Sequence, residues 1–333
     1  MALRSAALAA LLVLPGRPAL AAPARDAGSL ETAWALSRTF KPGLTGHVPS
    51  PSGLGSCVFA SATGRPASAQ AVAEAIARSR VVSVGETHDQ ANDHLAQLEV
   101  LKSLAASPGD QVAVGFEMLN ESLQGVLDDY ASGKLSESEF LQKADWQKEW
   151  GFPFSLYKPI FDFIRDHRLK ALALNAPRKL VTKTARLGLE GLSIEDGAML
   201  PKDMALSQDP RYLEFLKAAF GGHGSPASSL SLLAMPGVTW EHYLQAMMIW
   251  NEVMAANAAA YLNANSDSAL LVLAGNGHVM YGSGIPFGIG RRAAGASQTT
   301  FYTEGSSNCP ASLPERLSGM ADFVWLVPHD MNR

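Results

Sequence analysis

The sequence predicts an α/β fold: one central, largely parallel sheet covered by helices and carrying a helical insertion. Short apolar runs typical of buried strands alternate with helical patterns along the chain. The strand candidates lie on both sides of a helix-rich middle, which favours one sheet with an insertion over two domains. With 333 residues, 47% of them hydrophobic and 17% charged, the chain can bury one large core.

The first helix-to-strand units follow residue 67. A helix from about Ser68 to Arg78 precedes the apolar run Val81 to Val84, which ends at Gly85. A second helix begins near Asp93 and leads to the strand Gln111 to Phe116. Repeated helix-then-strand units are typical of parallel sheets.

The rest of the domain adds helical insertions and four more strands. Residues 120–168 and 178–262 are predicted to be mostly helical, and the last helix begins near Thr239, a suitable N-cap. The further strand candidates are Lys170 to Leu174, Ala269 to Leu273, Thr299 to Tyr302 and Phe323 to Val327. We therefore predict one domain over residues 67–333, preceded by a mostly irregular lead-in over residues 22–66.

Residues 1–21 predict a signal peptide. Arg4 precedes the apolar run Ala6 to Leu14, and Ala19-Leu20-Ala21 forms a small-x-small cleavage site. No run reaches the roughly 18–20 apolar residues of a membrane span. The mature protein is therefore expected outside the cytoplasm, in the periplasm, without a membrane span.

The cysteines and the net charge restrict the possible partners. Cys57 and Cys309 are the only cysteines; in an oxidising compartment they could pair, although their spacing leaves this open. Neither stands at the cleavage site, so no lipid anchor is expected. The 27 Lys and Arg against 31 Asp and Glu give a formal net charge of −4 without a basic patch, which argues against nucleic-acid binding.

Polar side chains follow four strand candidates. They are found in Gly85-Glu86-Thr87-His88, at Glu117, at Asn175 and in Gly275-Asn276-Gly277-His278. Ligands of open parallel sheets bind beyond the carboxyl ends of the strands, where these side chains would converge. Glu86, His88, Glu117 and His278 are thus candidate acid/base catalysts and candidate ligands of a divalent metal. The structural alternative is a cluster that only satisfies its own hydrogen bonds.

Other histidines and motifs are less informative. His94 could join the cluster or be a solvated helix residue. His47, His167, His223 and His329 have no convergent neighbours in the sequence and are expected to be structural or exposed. The sequence lacks a Gly-x-Ser-x-Gly elbow, a His-Glu-x-x-His motif, a Walker loop and Cys-x-x-Cys. In the Gly275 loop the third glycine of a dinucleotide motif is replaced by Met280, which argues against a nicotinamide enzyme.

The helix from Thr239 carries an aromatic and thioether face. Tyr243, Met247, Trp250 and Met254 follow one another at spacings of four, three and four residues. Such a stripe is usually core. The functional alternative is that a bulky planar ligand or a partner subunit covers it.

Six ordered motifs together resemble the ChaN family of the Tiki superfamily. They are Val81 to His88, Gly115 to Leu119, Trp146 to Pro153, Ala173 to Arg178, Trp240 to Met254 and Leu273 to Pro286. The resemblance covers roughly residues 75–292. It implies the fold shared with erythromycin esterases and Tiki-type proteases, and a role in bacterial haem-iron acquisition.

The resemblance also implies a binding mode. Haem would be held without a covalent bond at the interface of a homodimer, with a tyrosine on the iron, and passed to haem-transport components. Tyr243 is the first choice of ligand, followed by Tyr212 and Tyr157, with Met247 and Trp250 contacting the porphyrin. The sequence departs from the family in lacking the lipoprotein cysteine of many relatives and in reading Trp250-Asn251-Glu252 where Trp-Asp-Glu is usual.

Two functions therefore remain open. A haem-binding protein would use the apolar helical surface. A metal-dependent hydrolase of the superfamily type would use the cluster of Glu86, His88, Glu117 and His278, with Glu86 as general base or metal ligand. The two functions could coexist, because they use different surfaces.

Overall fold

The computed structural model describes residue 49 and residues 55–106, 111–221 and 237–328. The predicted signal peptide, most of the predicted lead-in and the histidines His47, His223 and His329 lie outside the described residues. All candidate site residues lie within them.

One sheet of eight strands organises the described part of the chain, in the order β2-β1-β8-β7-β3-β6-β4-β5. The strands are β1 (Cys57–Ala60), β2 (Arg65–Pro66), β3 (Val81–Glu86), β4 (Gln111–Asn120), β5 (Lys170–Asn175), β6 (Ser268–Gly275), β7 (Gln298–Gly305) and β8 (Phe323–Val327). All pairs from β8 to β5 are parallel, whereas β1 is antiparallel to β8 and to β2. The predicted α/β class with a largely parallel sheet is confirmed.

Eleven α-helices surround the sheet within these residues. They are α1 (Ala69–Arg78), α2 (Ala91–Leu104), α3 (Gln124–Ala131), α4 (Glu137–Lys143), α5 (Trp146–Glu149), α6 (Phe154–His167), α7 (Arg178–Leu187), α8 (Ile194–Ala198), α9 (Pro210–Gly221), α10 (Trp240–Ala264) and α11 (Ile285–Arg292). Thr239 caps α10 as predicted, since its hydroxyl accepts a hydrogen bond from the His242 backbone amide at 3.2 Å. None of these helices is both long enough and apolar enough to span a bilayer.

Helices cover both faces of the sheet. Successive side chains of a strand point to opposite faces. Val82 and Val84 of β3 therefore join the core beneath α1, α2 and α6, whereas Val81 joins the core beneath α10 and α11. Burial on both faces is typical of parallel sheets and explains why the strands read as continuous apolar runs.

The two ends of the sheet are closed differently. At the β5 edge, the Gln124 side chain donates to the carbonyl of Ala171 at 3.0 Å and accepts from the amide of Ala173 at 2.8 Å, as a neighbouring strand would. At the other end, β1 pairs with β8, and Cys57 of β1 forms a disulfide with Cys309. The pairing that the sequence left open is therefore present. β1 and β2 lie inside the segment predicted to be mostly irregular; β1 pairs with β8, which is distant in sequence, and β2 is a two-residue strand that pairs with β1.

Candidate functional site

The carboxyl ends of three adjacent strands bring the predicted polar side chains together. β6 lies between β3 and β4, so that Glu86 is in register with Gly275, and Phe116, which precedes Glu117, is in register with Leu273. His278 follows β6 in a short 3₁₀ turn. Glu86 and Glu117 are both buried, and with His88 and His278 they form one connected cluster.

Glu86 is held by side chains from α2 and α6. Its Oε1 accepts from the Tyr157 hydroxyl at 2.8 Å and lies 2.8 Å from His88 Nδ1. Its Oε2 accepts from Gln97 Nε2 at 2.7 Å and lies 3.4 Å from His94 Nδ1. Burial opposes ionisation, but the charge of His94 and the hydrogen bonds of both histidines outweigh it and hold the pKa of Glu86 well below its usual value. Glu86 is therefore ionised, and each of its two carboxylate oxygens already has two polar partners within the protein.

His94 balances this charge inside the protein. Its Nε2 lies 3.2 Å from the His88 carbonyl oxygen, and its Nδ1 lies 3.1 Å from Gln97 Oε1. Both ring nitrogens thus face oxygen acceptors, which requires a proton on each. Although burial lowers the pKa of His94, the Glu86 carboxylate raises it further, and the net pKa lies above the ordinary value. A buried imidazolium–carboxylate pair results.

His88 lies between the two carboxylates and is the more accessible histidine. Its ring contacts Trp150 and Phe152 at centroid distances of 4.7 and 5.0 Å. A Cβ at Gly275 would lie 2.7 Å from His88 Cε1, so only glycine leaves room for the ring. Burial lowers the pKa of His88, but the Glu86 hydrogen bond and the charge of Glu117 raise it above its ordinary value. The side chain is 23% exposed, and its Nε2 forms no hydrogen bond to any described residue.

Glu117 and His278 form the second half of the cluster. Glu117 Oε1 lies 3.2 Å from His278 Nε2, and Oε2 accepts from the Gly275 backbone amide at 2.6 Å. Burial raises the pKa of Glu117, but His278, His88 and this amide lower it below the usual value. A second ionised carboxylate is thereby stabilised next to the exposed edge of His88.

Asn251 fixes the ring of His278. Its Oδ1 lies 2.7 Å from His278 Nδ1, and its amide donates to the Tyr212 hydroxyl at 2.9 Å. Tyr212 in turn donates to the carbonyl of Gly277 at 3.1 Å. Because that hydroxyl proton is already used, the residue beside it must itself donate, which an amide does and an ionised carboxylate cannot. Asn251, which stands where the family usually has Asp, therefore fits the hydrogen-bonding requirements of Tyr212 and His278.

The candidate metal ligands of this cluster contact one another in two pairs, Glu86 with His88 and Glu117 with His278. Asn175, the fourth predicted strand end, donates from its side chain to the Glu117 carbonyl at 2.8 Å and so supports the backbone. Within the described ranges, no group of three or more His, Cys, Asp or Glu side chains is arranged to hold a metal ion. The donor set of Glu86, His88, Glu117 and His278 therefore fits a hydrogen-bonded acid/base network better than the predicted metal centre.

The residues predicted to contact haem are mostly core. Tyr157 and Tyr212 are fully buried, with hydroxyls engaged in the network described above. Tyr243 and Met247 are 7% and 6% exposed and belong to one apolar cluster. Burial raises the pKa of Tyr243 to about 12, which disfavours a phenolate. Trp250 is partly exposed, with its ring 5.9 Å from that of His278.

Two residues of α2 also belong to the cluster: His94, for which the sequence left this place open, and Gln97, which was not predicted. His94 and Gln97 lie three residues apart on the buried face of α2, together with Leu101 and Leu104. Two polar residues on an otherwise apolar helix stripe are the signal that could have identified them. Of the four leucines at helical spacing in α2, Leu101 and Leu104 are buried, whereas Leu95 and Leu98 are only partly buried.

Comparisons with known proteins agree with this fold. A family model described as haem-binding uptake, Tiki superfamily, ChaN matches residues 72–289. Protein RETICULATA-RELATED 5, chloroplastic, of Arabidopsis thaliana is 24% identical over 273 residues, 76% of this chain. The chain spans about a third of that relative, 34% of its length.

Two solved structures are also similar. The structure of cofacial haem binding to ChaN of Campylobacter jejuni has a TM-score of 0.60 at 16% identity, covering 82% of this chain and 96% of that one. An erythromycin esterase mutant in its open conformation has a TM-score of 0.41 at 13% identity, covering 75% of this chain and 76% of that one. At these identities the first similarity shows the fold alone.

Proposed function

Because the chain belongs to the ChaN family of the Tiki superfamily, we propose that it binds haem without a covalent bond and serves bacterial haem-iron uptake. The family model, which is described as haem-binding uptake, is the observation that carries this proposal. Its match over residues 72–289 includes β3 to β6, both helical insertions and the polar cluster at the strand ends.

The same proposal includes an exported protein that acts as a dimer. The signal pattern of residues 1–21 supports export to the periplasm. The disulfide between Cys57 and Cys309 supports it independently, because such bonds persist in oxidising compartments. A dimer interface would supply apolar walls on both faces of a flat porphyrin. Because the predicted haem face of α10 is largely buried within one protomer, these walls would come from other surfaces. Haem-transport components would then receive the haem.

Titration with ferric haem tests the proposal. Saturable binding seen in the Soret absorbance, with a shift from monomer to dimer in size-exclusion chromatography, is the expected result. Serum albumin, which binds haem, and a chain of similar size that does not bind it serve as reference proteins. Only non-saturating adsorption, equal to that of the second reference, would contradict haem binding.

A second function, hydrolysis, is supported by the geometry of His88. Its Nδ1 is anchored to the Glu86 carboxylate at 2.8 Å, whereas its Nε2 has no hydrogen-bond partner among the described residues. A histidine oriented by a carboxylate on one nitrogen and open on the other is arranged to take a proton from water. We propose this acid/base role for His88, with Glu86 orienting it and Glu117 and His278 completing the site.

An assay with a chromogenic ester tests this second function. If the wild type hydrolyses the ester, His88→Ala should lower kcat/KM by roughly 100-fold or more, because general-base catalysis contributes at least that much. His167→Ala is the matched control, since His167 is exposed and its ring contacts Phe163 of the same helix. Activity that survives in His88→Ala would show that the cluster is not hydrolytic.

A further inference from the structure

Thr303 of β7 connects the two loops that carry His88 and His278. The residue is fully buried, and its hydroxyl lies 2.7 Å from Asp93 Oδ2 and 3.1 Å from the carbonyl oxygen of Gly85. Its backbone amide and carbonyl are both hydrogen-bonded to the Asn276 side chain. One buried residue therefore contacts groups that belong to the loop after β3 and to the loop after β6.

Asp93 fastens the loop that carries His88. It is fully buried in the first turn of α2, and the same Oδ2 that accepts from Thr303 also accepts from the Thr87 backbone amide at 2.7 Å. Thr87 is the residue between Glu86 and His88. Hydrogen bonds between a carboxylate and a backbone amide are among the stronger ones in proteins. The placement of His88 therefore depends on Asp93, which is held in turn by the Thr303 hydroxyl.

Asn276 fastens the loop that carries His278, two residues further along. Its Nδ2 donates to the Thr303 carbonyl at 2.9 Å, and its Oδ1 accepts from the Thr303 amide at 3.2 Å. Because β3 lies between β6 and β7 in the sheet, this side chain reaches across the end of β3. A Cβ at Gly85 would collide with Asn276 Oδ1, so only glycine leaves room for the crossing.

The pairing of β3 with β7 explains why side chains make this connection. The backbones of the two strands pair as far as Val84 and Phe301. Thr303 lies two residues beyond Phe301, where β3 no longer pairs with β7. Buried backbone amides and carbonyls need a partner, and the Asn276 side chain supplies it for Thr303. The end of the sheet is thereby closed by Asn276 in place of a continuing strand.

The two halves of the polar cluster depend on such outside support. Glu86 contacts His88, and Glu117 contacts His278, but no hydrogen bond joins one pair to the other within the described residues. The relative placement of the pairs therefore depends on the backbones that carry them. Proton transfer is sensitive to this placement, because an error of about 1 Å can lower a rate by roughly 100-fold.

We propose that Thr303 is a positioning residue that sets the distance between His88 and His278, through Asp93 on one side and Asn276 on the other. This inference rests on the proposed hydrolytic function, in which His88 takes the proton from water. Thr303 is fully buried, so it acts through these two partners and does not touch the substrate.

Kinetics of Thr303 variants with the chromogenic ester test the proposal. Thr303→Val keeps the branched shape but removes the hydroxyl, so kcat should fall by roughly tenfold or more while KM stays near the wild-type value. Thr303→Ser keeps the hydroxyl and should retain most of the activity. Thr300→Val is the matched control and should keep kcat, because Thr300 is a buried threonine of the same strand whose hydroxyl donates to Asp322 at 2.8 Å.

Asn276→Ala tests the second connection. It removes both hydrogen bonds to the Thr303 backbone and should lower kcat as Thr303→Val does. Asn263→Ala is the matched control, since Asn263 is exposed and its side chain likewise donates to a backbone carbonyl, that of Arg292 at 3.1 Å. A kcat for Asn276→Ala equal to that of the control would overturn the role of Asn276.

Nuclear magnetic resonance of the histidine side chains reports the geometry independently of activity. The signals of His88 and His278, assigned from the spectra of their alanine variants, should shift in Thr303→Val and stay in place in Thr300→Val. Unchanged signals in Thr303→Val would overturn the positioning role. So would an equal loss of kcat in Thr300→Val, because lost stability alone would then explain the effect. If the wild type hydrolyses no ester, the hydrolytic function fails, whereas the histidine signals still decide whether Thr303 positions the two loops.

Discussion

Glu86 shows how much of the candidate site depends on one residue. Its carboxylate accepts hydrogen bonds from Tyr157 and Gln97, and it is the counterion of a fully buried imidazolium, His94. Burying two charges is costly unless they are paired and hydrogen-bonded. The cluster at the strand ends therefore depends on the charge of Glu86 for its stability as well as for any chemistry.

Removal of that charge should be strongly destabilising. Glu86→Gln keeps the shape of the side chain but leaves His94 without its counterion, so the free energy of unfolding should fall by about 3–5 kcal/mol. Urea denaturation followed by circular dichroism measures the loss. Glu74→Gln is the control, because the exposed ion pair of Glu74 with Arg78 should contribute less than about 1 kcal/mol. Equal stability of the two variants would contradict a charged pair.

The buried histidines also predict a pH dependence. The pKa values of His88 and His94 are raised in the folded protein. Their contribution is fully present below the unfolded pKa of about 6.5 and is lost as the pH rises through the folded values. The pKa values of Glu86 and Glu117 are lowered, so the stability that these carboxylates contribute is lost only in acid, where they are protonated.

Stability should therefore decrease as the pH is raised from 6 toward 9. Urea denaturation at a series of pH values measures the slope, and His94→Gln, which removes one titrating group, should flatten it. A free energy of unfolding that rises over this range in the wild type would contradict the argument.

The sequence identified the strand-end residues more reliably than their partners. Glu86 and His278 stand out because each follows an apolar run and is directly preceded by glycine. Gln97 and Asn251 were not identified as members of the network, because each is one polar residue on a helix and its role depends on which strand end the helix faces. That contact is set by tertiary packing, which local sequence patterns do not record.

At the scale of elements, the order of strands explains why the site forms. β6 lies between β3 and β4 in the sheet, although about 150 residues separate it from β4 in sequence. The sequence predicts each strand from its apolar run, but a pairing over such a distance leaves no local pattern. The pairing of β1 with β8 was not predicted for the same reason, since about 260 residues separate the two strands.

The β5 edge offers a test at this scale. Gln124 occupies the carbonyl of Ala171 and the amide of Ala173 with its side chain. Gln124→Ala leaves both groups without that partner and should lower the free energy of unfolding by about 1–3 kcal/mol. Gln142→Ala, at an exposed position of α4, is the matched control for the same substitution in a helix. If Gln124→Ala lowers the free energy of unfolding no more than Gln142→Ala does, water replaces the Gln124 side chain without loss of stability.

For the whole molecule, the disulfide is the main long-range covalent constraint in the described chain. Cys57 and Cys309 are 252 residues apart in sequence, with a Cα–Cα distance of 6.0 Å. The bond ties the edge strand β1 to the segment that follows β7. It therefore closes nearly the whole sheet into one covalent loop.

Reduction should weaken the fold without changing its architecture. Replacing both cysteines with serine should lower the free energy of unfolding by about 2–5 kcal/mol, because the unfolded chain regains its freedom. Denaturation with and without dithiothreitol measures the effect in the wild type. The double-serine variant is the control and should not respond to the reductant. A wild type that is equally insensitive would contradict a stabilising bond.

The most direct test of the central claim is a ferric haem titration of the wild-type protein, followed by Soret absorbance and size-exclusion chromatography. Saturable binding with a shift toward the dimer is the expected result. No saturable binding by the wild type at any haem concentration would contradict the account.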